Sequence, residues 1–249
     1  MELLNLDKNP KTVKGQKSGY MTAILYLSPH TLSGVNVCPM AEIAGCVHTC
    51  LNYTGRAGMS KDSTVFAADN GKYIPNNNIQ RARMRRTKLF IEDRQGFLTQ
   101  LEKEIKSFIR RTVKKGYTPV IRLNGTSDIR WENVRFNDGS TIFSRFPDIT
   151  FYDYTKIPNR RHIPDNYYLC WSYSEASKKY AAMRPYNMNW VVVFNGKKLP
   201  DTFLGRPVVN GDEHDLRFID PANVVVGLKA KGVNKIKKNN NGFIVQLAA

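Results

Sequence analysis

Residues 119–128 read "PVIRLNGTSD". Five mostly apolar residues, without polar–apolar alternation, run straight into a polar turn containing Gly125. A strand with one wet face alternates, whereas a strand covered on both faces reads as a near-continuous apolar run, the habit of parallel sheets. The preceding segment agrees. Between 89 and 113, Phe97, Leu101, Ile105, Phe108 and Ile109 recur at three- and four-residue spacing, and Gly116 ends the run. The spacing predicts a helix that feeds the strand, with Glu102, Lys103, Lys106 and Arg110 on its wet face.

The same signature repeats along the chain. Short apolar runs at 21–27, 149–154, 167–173, 190–194, 207–209 and 223–228 are separated by segments longer than hairpin turns, and "FIVQL" (243–247) reads as a last strand. Residues 174–183 fit a crossover helix, and 129–148 show no periodicity. The expectation is an α/β fold with a mostly parallel sheet, closed or partly closed into a (βα) barrel-like domain. All 249 residues read as a single α/β domain, with 1–18 as an N-terminal extension and 229–249 as a basic loop and last strand.

Each strand ends in a polar cluster: Asn124 to Asp128, Thr155-Lys156, Ser174-Glu175, Asn210 to Asp215, and Lys229 to Gly232. In parallel α/β architectures, ligands bind where loops converge at the carboxyl ends of strands. Asp128, Lys156, Glu175, Asp212, Glu213, His214, Asp215 and Lys229 are therefore the expected pocket-lining and catalytic residues, with His214 the carrier of protons near neutral pH. The competing reading is turn and cap chemistry, which uses the same residue types.

A different chemistry sits after the first of these strands. "NVCPMAEIAGCVHTCLN" (36–52) places Cys38, Cys46 and Cys50 at C-x7-C-x3-C spacing. The start of the chain has no apolar signal core, and its apolar runs are shorter than the roughly 20 residues of a membrane helix. A cytoplasmic protein is expected, and clustered cysteines in a reducing compartment point to metal. Three thiolates suit a [4Fe–4S] cluster with one iron left open. The alternatives are zinc, completed by His48 or Cys170, and unligated buried thiols.

Lys plus Arg number 38 against 21 Asp plus Glu, a formal charge of +17. That excess favours a polyanionic partner, nucleic acid first, over a merely solvated surface. The densest runs are Arg81, Arg83, Arg85 and Arg86, and Lys235, Lys237 and Lys238. Few aromatics accompany them, so phosphate contacts are expected more than base stacking. The chain has neither a P-loop nor a G-x-S-x-G elbow, which removes two common enzyme classes.

"GYMTAILYLSPHTLSGVNVCPMAEIAGCVHTCL" (19–51), "RLNGTSDI" (122–129), "FYDYTK" (151–156) and "NGDEHDLRFIDPANVVVGLKAKG" (210–232) together resemble the bacteriophage gene product 88 family. The resemblance implies a phage protein in the host-cell cytoplasm and brings little chemistry of its own. More distantly, the three-cysteine loop, the Gly-containing turn and the "TK" strand end resemble a radical S-adenosylmethionine barrel. That resemblance implies a [4Fe–4S] cluster on Cys38, Cys46 and Cys50. It implies S-adenosylmethionine on the open iron, beside Asn124, Gly125, Thr126 and Ser127. The spacing differs from the superfamily's usual C-x3-C-x2-C, and Thr49 stands where an aromatic residue is usual. The alternative is a nucleic-acid-binding protein with a structural zinc or iron–sulfur site and no catalysis.

Overall fold

The helix and strand around residue 119 form the hub of the fold in this computed structural model, which describes residues 1–6, 10–53, 57, 77–230 and 241–247. The strands are β1 (Leu4–Leu6), β2 (Tyr20–Leu25), β3 (Thr118–Arg122), β4 (Thr150–Thr155), β5 (Tyr167–Ser172), β6 (Trp190–Asn195), β7 (Thr202–Phe203), β8 (Arg206–Asn210), β9 (Val225–Lys229) and β10 (Ile244–Gln246). The helices are α1 (Pro10–Gly15), α2 (Asn78–Glu92), α3 (Arg94–Lys114), α4 (Ile142–Arg145) and α5 (Lys178–Ala182). Gly232, Lys235, Lys237 and Lys238 lie outside the described residues.

Phe97, Leu101, Ile105 and Phe108 of α3 are buried against Ile121, Leu123 and Phe151, in one core with Trp131 and Phe143. The sheet runs β1-β2-β3-β4-β5-β6-β9-β8-β7, and every pairing from β2 through β8 is parallel. From β2 to β6 the strands lie in chain order. Parallel crossovers share one hand, so their connections fall on the face that α3 covers. The segment 211–220 covers the other face, where Leu216 meets Val120 and Tyr152, and Phe218 meets Tyr20 and Tyr152.

The expected barrel closure is corrected at the edges. β1 pairs β2 and β7 pairs β8, both antiparallel, and among the described residues neither edge strand has a second partner, so the sheet is open. β1 also corrects the reading of 1–18 as an extension, because the Glu104 carboxylate of α3 accepts the Leu3 and Leu4 amides and ties the strand down. The long helix is two helices. Asp93 leaves the helical region (φ −135°, ψ 77°), ends α2, and caps α3 by accepting the Gly96 amide at 2.8 Å. Residues 129–148 form a short turn carrying Trp131 and the four-residue α4, closed by a Thr141–Ser144 capping box.

One irregularity prepares the site. β5 pairs β6 only through Trp171–Trp190 and Ser172–Val191, and β10 then takes over β6 from Val193 to Asn195. The sheet forks where β5 ends.

Candidate functional site: a cysteine loop over the strand ends

The loop after β2 crosses the carboxyl ends of its neighbours and is pinned at each step. Val37 O accepts the Asp128 amide at 2.8 Å beyond β3, and the Cys38 thiol points to Thr126 O at 3.7 Å. Further along, Ala44 O accepts Ser174 Oγ at 2.7 Å beyond β5. Gly45, at φ +65°, passes so close that an added Cβ would stand 2.7 Å from Ala176 Cβ and 2.9 Å from Asn241 O. Met40, Ile43 and Ala44 anchor the loop on Trp171, Tyr173 and Tyr180. Cys50 packs against Leu32 and Met84 of α2.

Cys38, Cys46 and Cys50 are free and half-buried. Burial raises all three thiol pKa values, Cys50 to about 11. The charges of Cys50 and Cys46 raise Cys38 further, and Cys46 raises Cys50, so the three sulfurs share one electrostatic neighbourhood. Two cations oppose this: Lys156 lowers Cys46 and Cys50, and Arg83 lowers Cys50. Lys156 Nζ donates to Ser172 Oγ at 2.8 Å and lies 5.0 Å from the Phe243 ring centre. Beneath the loop, burial raises Asp128, whose carboxylate accepts Thr155 Oγ1 at 2.9 Å and the Lys156 amide at 2.7 Å. A cavity of about 330 Å³ opens beside the loop, lined by His30, Glu42, Gly45 and Val47. Among the described residues, no three His, Cys, Asp or Glu side chains stand in ligating geometry.

The remaining sequence candidates separate. Asp128 and Lys156 join the cysteine face. Glu175 and Glu213 are exposed, and Asp212 accepts the Lys229 amide at 3.1 Å. Asp215 is buried in a network on the other face, accepting Arg122 Nη1 at 2.6 Å and Tyr154 Oη at 2.9 Å. His214 lies beside Arg217 and Asp220, where burial, then the Arg217 charge, lowers its pKa, so it is neutral at pH 7.

Asn124, Gly125, Thr126 and Ser127 are engaged within their own turn. Asn124 Oδ1 accepts from Ser127, Ile129 and Trp131, and Thr126 Oγ1 donates to Leu27 O. An alanine Cβ at Gly125 would lie 2.6 Å from the Tyr26 ring and 2.7 Å from Leu25 O, so close packing explains this glycine. In α2, Arg81 and Arg85 are exposed, while Arg83 and Arg86 are buried. Arg83 Nη1 donates to Asn52 Oδ1 at 2.7 Å and Arg86 Nε to Glu2 O at 2.8 Å, which corrects their reading as surface phosphate contacts. Cys170, a candidate zinc ligand, is packed among Val191, Val224 and Val226, and its charged neighbours are Arg217, Asp220 and Asp215. Sequence reasoning missed Ser172, Arg160 and the pairing role of Arg83, because burial of a polar side chain leaves no periodic mark.

Fold and site define a mixed α/β protein with a largely parallel, open sheet and a thiol-bearing loop at its carboxyl edge. The chain belongs to the gene product 88 family, whose model matches residues 3–247. No curated protein and no solved structure matches it significantly, and the family match lends no support to the radical S-adenosylmethionine resemblance. Among the described residues no helix is long and apolar enough to cross a membrane.

Proposed function

We propose that Cys38, Cys46 and Cys50 hold a [4Fe–4S] cluster at the carboxyl edge of β2 to β5, the wet end of a partial-barrel arrangement. The observation that carries the reading is three free thiols within reach of each other's charge, flanked by Lys156 and Arg83. The donor set fits a thiophilic centre in type and in counter-charge. Because burial holds the free thiols protonated, loading a metal would release protons, and affinity would rise with pH. A cluster held by three thiolates supplies one iron with an open position, for which S-adenosylmethionine is the ligand implied by the more distant resemblance.

The chain's own residues have clear tasks in this reading. Ser172 holds Lys156 in place as the cation that balances thiolate charge, and Asp128 fixes the exit of β4. Zinc with four protein ligands is less well supported, because Cys170 is committed to another cluster. The test is elemental analysis of protein isolated without oxygen. Iron with matching sulfide supports the reading, and stoichiometric zinc without iron sinks it.

A second reading keeps the polyanion partner. Arg81, Arg85 and Lys88 are exposed at i, i+4 and i+7 along α2, a single helical face able to lie on backbone phosphates. Lys235, Lys237 and Lys238 belong to this reading from sequence alone.

A further inference from the structure

The connection from β4 to β5 is short and carries no helix, so it leaves part of the sheet face uncovered. Between it and the segment before β6 lies a cavity of about 270 Å³, whose walls include Asn159, Arg160, Arg161, Trp171, Asn187 and Met188. Its walls carry two guanidinium groups and an indole N–H, with no carboxylate among the lining residues.

Two donors in these walls lack acceptors. The Trp171 indole N–H is buried and makes no hydrogen bond. Arg160 is gripped by Glu132, with Nε donating to Oε1 at 2.9 Å and Nη2 to Oε2. Its Nη1 makes no hydrogen bond, and Asp128 Oδ1 lies 3.9 Å away. A buried donor left unmade costs about 1–3 kcal/mol, so native proteins rarely keep two at one place without use. Arg161 is exposed at the mouth.

We infer that this cavity binds a small anion bearing a carboxylate or phosphate group. Arg161 supplies the charge, and the ligand oxygens satisfy Trp171 Nε1 and Arg160 Nη1. Guanidinium groups favour such oxygens through paired N–H donors. Pro158, Pro185 and Met188 line the rest of the wall, as apolar surface around a few polar anchors is usual for small-molecule sites. The site is separate from the cysteine loop, so its failure would leave the cluster proposal standing.

The chain has three tryptophans, and their indoles provide the test. Trp131 Nε1 already donates to Asn124 Oδ1 at 3.2 Å and Trp190 Nε1 to Pro185 O at 2.7 Å. The full chain, labelled with nitrogen-15, is titrated with inorganic phosphate and separately with acetate at constant ionic strength. Trp171→Phe identifies the Trp171 indole signal by its loss. The expected result is a downfield shift of that signal with at least one of the two anions, while the Trp131 signal stays. The exposed change Arg161→Gln should raise the midpoint about tenfold or more. Response to only one anion names the ligand class. A Trp171 signal unmoved by both anions, a Trp131 signal moving in step, or an unchanged midpoint in Arg161→Gln overturns the inference.

Discussion

Asp153 is fully buried in β4, yet its carboxylate accepts the Leu123 amide at 3.1 Å, the Asn124 amide at 3.0 Å and Tyr167 Oη at 3.0 Å. Arg122 Nε lies 3.7 Å from it. Burial outweighs these contacts and pushes its pKa from 3.8 up to about 6. Between those two values the folded chain holds the proton more tightly than the unfolded chain does. Stability therefore falls as pH rises from about 4 to about 6, by a contribution on the order of 3 kcal/mol, and this contribution is flat above. Urea midpoints measured across that range should show the slope in the native chain and lose it in Asp153→Asn. The same change puts an amide N–H₂ among three donors and should destabilise the fold by about 2–4 kcal/mol at neutral pH. Equal pH slopes in the two proteins would contradict the assignment.

The elements show where the sequence was legible. Every apolar run assigned as a strand is one, because β2 to β6 and β9 are buried on both faces and their composition records it. The α2–α3 junction was hidden because Asp93 interrupts the backbone without interrupting helical composition. Asp93→Ala should cost about 1 kcal/mol through loss of its cap, read as a lower melting temperature. The edge strands β1 and β7 were illegible for a different reason: two or three residues carry no period, and long-range pairing alone defines them. Of the candidate site, the cysteines, Asp128 and Lys156 were legible as strand exits. The split of Asp215 and His214 into another network was not, because it depends on the path of 211–220 across the sheet. Gly125 was read as a ligand-facing turn; its closeness to β2 makes Gly125→Ala an overpacking change, expected to cost about 1–3 kcal/mol in a denaturant titration.

At the scale of the whole molecule, the net charge of +17 and the thiol-bearing edge make separable predictions. If α2 lies on duplex DNA, affinity should fall with salt by about 0.9 log units per phosphate contact for each log of salt. Arg81→Ala/Arg85→Ala should then lower the slope by about 2. Arg83→Ala should instead lower stability, since its guanidinium is held by Asn52 inside the fold. An unchanged slope in the double variant would remove α2 from the interface. The cluster proposal is tested most directly by iron and acid-labile sulfide counts per chain after anaerobic reconstitution. The native chain and Cys170→Ala should each take up about four of both, as a [4Fe–4S] centre requires. Cys38→Ala, Cys46→Ala and Cys50→Ala should each lose most of that uptake. Equal loss in Cys170→Ala, or no iron uptake by the native chain, would contradict the three-cysteine centre.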